Sequence, residues 1–178
     1  VKQNPGKLNY ASQGNGSVSH IGTEIFKQQT GIQMTHVPYK GSGQAIQDVL
    51  AGQVQVFITT PPSVMGHVLN GKLKALAVTG KSRHPQLPQV PTVAEAGLPQ
   101  FELESWVALY VPAGTPAPVI QKLSQDVKKS MEAPETRQRA EQAGVEPRYL
   151  APADMTKLLD KEIVSWTQAI KAAQIKLD

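Results

Sequence analysis

The chain has 178 residues, 40% of them hydrophobic and 18% charged, enough to bury a core and to form one medium domain or one domain with part of a second. It has no cysteine, which excludes a disulfide framework and thiolate chemistry, and no apolar run of the roughly 18 residues needed to cross a membrane. The net charge of +4 is unevenly placed: residues 1–100 hold eight Lys/Arg against three Asp/Glu, and residues 101–178 hold ten against eleven. A carboxylate-poor first part favours anionic ligands.

In chain order, "KLNYAS" alternates as a short strand and stops at a turn containing Gly14 and Gly16. Val18, Ile21, Ile25 and Phe26 then recur at helical spacing, with Gly31 placed as a C-cap. The unit repeats: "IQMTHVPY" predicts a second strand, and Ala45, Ile46, Val49 and Leu50 mark a second helix ending before Gly52. "VQVFITT" predicts a third strand, "PPS" opens a third helix that closes at Gly71, and "LKALAVTG" predicts a fourth strand. Strands alternating with short helices imply an α/β layer domain with a largely parallel sheet covered on both faces.

The next stretch, "KSRHPQLPQVPTVAEAGLPQ", carries four prolines and reads as an ordered connection with one short helix at Val93 to Ala96. "FELESWVALYVPAG" is the longest strand candidate. A helix then follows Thr115 as N-cap with Pro116 in its first turn, and a last helix runs from about Pro152 with an apolar stripe through Met155, Leu158, Leu159, Ile163, Trp166 and Ile170. The change of charge and of element type places a boundary near residue 102, separating 1–102 from 103–178.

Three strand-to-helix junctions share one character: Ser12 to Ser17 ("SQGNGS"), Tyr39 to Gly43 ("YKGSG") and Thr59 to Ser63 ("TTPPS"). All are small, polar and acid-free. Each is expected to bring free backbone N–H groups and the positive end of a helix dipole to one rim of the sheet, a setting for an anion, with Ser17 and Ser63 as N-caps and hydroxyl donors.

Sharper chemistries fail on named residues. A Walker loop needs Lys-Ser/Thr after its last glycine, where this chain has Ser17-Val18. The dinucleotide fingerprint needs glycine at position 19, occupied by Ser19, and an acid after the second strand, which ends at Tyr39. No nucleotide, nicotinamide or flavin cofactor is expected. His20, His36, His67 and His84 lack metal-ligand spacing to acids, so no metal is expected either. His36 reads as a satisfied interior residue. Ser17, His20 and Asp48 can be assembled into a triad on paper, which keeps a small α/β hydrolase or transferase using Ser17 and His20 as the alternative reading. Aromatic residues are not interleaved with basic clusters, so no nucleic-acid partner is expected.

The ordered motifs "NPGKLNYAS", "GNGSVSH", "VPYKGSGQA", "AGQVQV", "GKLKALAVTG", "PQVPTVAEAGLP" and "SWVALYVPAGTP" closely resemble the substrate-binding receptors of tripartite tricarboxylate transporters, the Bug receptors. The resemblance covers essentially the whole chain. It implies a periplasmic-binding-protein-like (type II) three-layer fold and a periplasmic receptor, not an enzyme. Such a receptor closes two α/β domains on a small carboxylate and delivers it to membrane permease subunits. On the family pattern, residues 1–102 are the second domain, and 103–178 are the strand and helices that complete a first domain otherwise lying before Val1.

Carried over by position, Ser12, Gln13, Gly14, Asn15, Gly16, Ser17 and His20 match the second-domain carboxylate loop. Tyr39, Lys40 and Gly41 match the second ligand-facing junction, and Ser105 and Trp106 the interdomain strand. At the third junction many relatives carry an aspartate, whereas this chain has Thr59 and Thr60. That departure points to a ligand without an ammonium group, a di- or tricarboxylate or an aromatic acid. With only part of such a receptor present, the long strand and the last helix are expected to expose apolar surface and to promote self-association or domain swapping.

Overall fold

The computed structural model describes residues 6–172, 174 and 175; the outer ends of both expected domains, residues 1–5 and 176–178, lie outside them. The chain divides into two compact units, Val1–Ser105 with Thr167–Asp178, and Trp106–Trp166.

The first unit holds a parallel sheet in the order β2-β1-β3, with β1 Asn9–Ser12 at its centre, β2 Thr35–Pro38 and β3 Val56–Phe57. Three helices follow the strands in turn: α1 Val18–Thr30, α2 Ser42–Leu50 and α3 Pro61–Leu69. Parallel neighbours must be joined by crossovers, so each helix begins where its strand ends, and all three junctions fall on one edge of the sheet. α1 stops where predicted, at Gly31, whose φ of 68° places it in the left-handed region that ends helices.

The period-two alternation of β1 separates two cores. Ala11 faces α2 in an apolar cluster with Ala45 and Val54, joined by Val37, Tyr39, Val49 and Phe57. Burying Val54 alone, at 3% exposure, stabilises the unit by about 1.5–3 kcal/mol. Tyr10 and Ser12 are turned to the opposite face, toward α1, where the core is polar and aromatic. A separate apolar cluster of Met65, Leu87 and Val90, with Val68, Ala75 and Val78, holds α3 against the proline-rich connection.

Several predicted elements differ. The third strand shortens to two residues, and "LKALAVTG" forms only an isolated parallel bridge, Val78 to Thr92. Residues 93–96 form a turn rather than a helix; Thr92 organises it by accepting Glu95 N–H on Oγ1 and donating its own N–H to the Glu95 carboxylate. Residues 101–114 contain no strand, because no ladder partner for them exists among the described residues. Their first part packs on α1 instead: Phe101 meets Phe26 edge-on at 5.5 Å, and Leu103 lies against Gly22. Leu103 is also tied to Thr79 by a backbone bond of 3.0 Å and a hydroxyl bond of 2.7 Å.

The second unit contains α4 Ala117–Glu132 and α5 Pro134–Gln142, and α6 Pro152–Ala172 runs to the end of the helical region. α4 begins one residue later than predicted, with Pro116 as its N-cap. None of these three helices has a buried residue.

Candidate functional site

The central junction is a loop closed on itself. Ser17 donates twice to the Gly14 carbonyl, from N at 3.2 Å and from Oγ at 2.6 Å, and its Oγ accepts His20 N–H at 3.3 Å, the predicted N-cap of α1. Gln13 N–H donates to Ser19 Oγ at 2.9 Å, Gly14 N–H to Ser12 Oγ at 3.2 Å, and Gly16 N–H to His20 Nδ1 at 3.1 Å. Gly14 must be glycine: its φ is 127°, and a Cβ there would sit 3.3 Å from the Tyr39 carbonyl oxygen.

These bonds correct the expectation that the loop presents its amides free. The N–H groups of Gln13, Gly14, Gly16 and Ser17 are all held within the loop. At the start of α1 the Val18 and Ser19 amides have no carbonyl of the helix one turn earlier to bond; Val18 is exposed and Ser19 is buried.

The second junction is joined to the first by Tyr39 N–H donating to Ser12 O at 3.1 Å. The Tyr39 side chain takes no part in the rim, since its hydroxyl donates to Asp48 Oδ2 at 2.7 Å on α2. Burial, then that bond and the Asp48 charge, push its phenol up to about 12. Lys40 is exposed, and Gly41 precedes α2 without a side-chain cap, leaving the helix's first amides open.

The third junction differs in kind. Its N-cap is Thr60, not Ser63, and Pro61 and Pro62 carry no N–H. Ser63 N–H is returned to Thr60 O at 3.1 Å. What this junction offers is hydroxyls: Thr60 Oγ1 and Ser63 Oγ lie 3.2 Å apart, and the buried Thr59 Oγ1 has no hydrogen-bond partner among the described residues. Ser105 ends the first unit and Trp106 begins the second; both are exposed, and no hydrogen bond joins Ser105 to the rim among the described residues.

Sequence reasoning missed the support beneath the loop. Tyr10, fully buried, stacks on His36 at 4.8 Å, and His36 stacks on His20 at 4.1 Å with the rings 7° from parallel. Tyr10 donates to Glu24 Oε1 at 2.5 Å, and Glu24 also receives Lys27 Nζ at 2.7 Å. Burial works to raise the Glu24 carboxyl, but hydrogen bonds from Lys27 and Tyr10 outweigh it and hold the group below its ordinary range. Burial and the neighbouring Glu24 push the Tyr10 phenol up. The available signal was period-two spacing, which puts Tyr10 and Ser12 on one face; the β1–β2 register that sets His36 beside Tyr10 is seen only in the structure.

The triad does not assemble. The Ser17 proton goes to a backbone carbonyl, and Asp48 is engaged by Tyr39 on the other face of the sheet. No group of acids and histidines suited to a metal ion occurs among the described residues.

Over residues 1–175 the sequence matches the family described as "Tripartite tricarboxylate transporter family receptor". The chain belongs to this receptor family. Its members are substrate-binding receptors, not enzymes. Among curated relatives, a "UPF0065 protein in tcbD-tcbE intergenic region" of Pseudomonas sp. (strain P51) is 37% identical over 96% of this chain and 51% of its own length. Among solved structures, "R. palustris Rpa4515 with adipate" superposes with a TM-score of 0.94 at 35% identity, over 98% of this chain and 58% of that one. "Periplasmic binding protein BugD" gives 0.92 at 30% identity, over 99% and 60%. "MatC (Rpa3494) from Rhodopseudomonas palustris with bound malate" gives 0.85 at 33%, over 93% and 57%. The fold is therefore that of the periplasmic binding proteins, and the chain of this Bug-type receptor spans about half the length of the curated relatives it matches. No helix among the described residues is long and apolar enough to cross a membrane.

Proposed function

We propose that this chain provides one wall of a carboxylate-binding cleft in a periplasmic receptor that hands its ligand to the permease subunits of a tripartite transporter. In this reading residues 1–102 are the receptor's second α/β domain, and 103–178 are the segment that completes its first. The observation that carries it is the loop Ser12–Ser17, drawn shut at the centre of the rim by its own hydrogen bonds, so that the exposed Val18 brings the start of α1 and its positive end to that rim. Gln13, Asn15, Ser17 and His20 border that turn, Lys40 adds an exposed cation at the second junction, and Ser105 and Trp106 belong to the wall that the cleft closes against.

The ligand carries carboxylates and no ammonium group. Thr59, Thr60 and Ser63 bring hydroxyls and no acid to the third junction, so nothing there pairs with a cation. The adipate and malate bound by two structural neighbours belong to the same chemical class. The test is calorimetry on the receptor containing this chain, with adipate and malate titrated against 2-aminoadipate and aspartate. Tighter binding of the unaminated acids is expected, and the reverse order would sink the assignment.

The exposed segment beyond Trp106 supports a further part of this reading. Val107 is 99% and Leu109 80% exposed, and Ile163 and Val164 of α6 are exposed as well. Alone in solution, the chain covers this surface by pairing with a second copy.

A further inference from the structure

We propose that His36, which contributes nothing to the rim itself, is a positioning residue for the carboxylate loop: it grips Ser12 from beneath and backs His20 face to face. This rests on the reading of residues 12–17 as the ligand loop.

The geometry converges on Ser12. Its Oγ lies 2.6 Å from His36 Nε2, receives Gly14 N–H at 3.2 Å and lies 3.2 Å from Gly14 O. Ser12 is fully buried at the end of the central strand, so this hydroxyl is where the strand is fastened to the loop. His36 is placed to hold it because β2 pairs with β1 in a register that sets His36 beside Tyr10, two pairs before Ser12 and Pro38 and so on the same face as Ser12.

His20 supplies the second fastening. Its Nδ1 accepts the Gly16 amide, so a proton on that nitrogen removes the acceptor and releases Gly16. The two imidazoles lie nearly parallel with centroids 4.1 Å apart, and charging one disfavours charging the other. The titratable groups facing His36 are His20, Glu24 and Lys27 from α1 and Tyr10 from β1; Phe101 and Leu103, packed over α1, add none. Burial, then the influence of His20, lowers His36 to about 4, with Glu24 opposing and Lys27 assisting. At neutral pH the ring under Ser12 is uncharged. Acidification loads a proton into the stack, and the charge on His36 reaches the loop through Ser12 Oγ.

The test follows amide and imidazole resonances of the chain by NMR between pH 7.5 and 4, for wild type and His36→Gln. In wild type the Gly14 amide should move with the His36 ring, because Ser12 Oγ links them; in His36→Gln, which keeps a polar group but cannot titrate, that movement should vanish. A Gly14 amide that stays still while His36 titrates, or that moves unchanged in the variant, overturns the proposal. In the receptor containing this chain, with malate as probe, His36→Leu should weaken binding on the order of ten-fold and His36→Gln should restore most of it. Equal affinity of all three proteins overturns it too. If wild type binds no malate, the functional reading suffers, and the Gly14 titration alone decides the role of His36.

Discussion

Ser17 and Gly14 lock the loop: both the amide and the hydroxyl of Ser17 donate to the Gly14 carbonyl, at 3.2 and 2.6 Å. One side chain therefore caps α1 and sets the path of the chain that precedes it. Ser17→Ala removes the cap and the tighter of the two bonds while leaving the amide. The expected cost is about 1 kcal/mol of stability, read as a lower denaturant midpoint at unchanged slope. Affinity for a dicarboxylate should fall by a similar free energy, because the first-turn amides of α1 remain but are less well aimed. A variant with wild-type stability and wild-type affinity would show that the loop holds its shape without Ser17.

Acid should destabilise the first unit, and the sign follows from two groups. His36 is lowered to about 4 from an ordinary value of 6.5, so the unfolded chain takes up that proton first, and its contribution, complete above about 6.5, declines as pH falls toward 4. Glu24 is held below its ordinary 4.5, so its contribution is present above that value and is lost as pH falls through the lower one. Denaturant midpoints measured from pH 7.5 to 3.5 should thus begin to drop near 6.5 and drop further below 4.5. His36→Gln should flatten the upper part of the curve and leave the lower part. A midpoint level from pH 7 to 4.5 in wild type contradicts this account.

The βα units were legible in the sequence because local signals agree there. Gly31 ends α1 where its left-handed φ is required, Pro61 and Pro62 start α3 where missing N–H groups cost nothing, and Ala45 and Val49 put α2's apolar face on the sheet. The long stretch from Phe101 misled for a physical reason. Its β-rich composition predicts a strand, but a strand needs a partner, and none exists among the described residues. α5 was invisible because "PETRQRAEQ" is polar on every side and offers no period to detect. In the site, the residues at the three junctions could be named, but the destination of their donors could not. Two prolines silence α3's N-terminus, and the Tyr39 hydroxyl goes to Asp48, facts of geometry that composition does not carry. The Tyr10–His36–His20 stack needed the β1–β2 register, which a single sequence leaves open.

At the third junction, Thr59→Asp should invert ligand choice. Thr59 Oγ1 is buried without a partner among the described residues, so a carboxylate introduced there lacks compensation unless the ligand brings a cation. In the receptor containing this chain the variant should bind malate at least ten-fold more weakly than wild type, and should lose less affinity, or none, for aspartate. Competition calorimetry with the two acids reads the ratio directly. An unchanged malate-to-aspartate ratio would place position 59 away from the ligand.

The apolar surface beyond Trp106 should make the isolated chain self-associate. Val107 and Leu109 are almost fully exposed in an extended segment that has no ladder partner among the described residues, and α4 adds exposed Val119 and Leu123. An extended backbone with unpaired amides and β-branched side chains is a template for another strand, and a second copy is the partner always at hand. Sedimentation over a hundred-fold range of concentration should show a monomer–dimer equilibrium. Val107→Lys with Leu109→Lys should shift it toward monomer, since like charges at neighbouring positions oppose strand pairing and remove the apolar gain. The first unit's midpoint should not change, because Val107 and Leu109 lie outside it. A wild-type chain that sediments as a monomer at every concentration would mean that this segment folds over its own surface in solution.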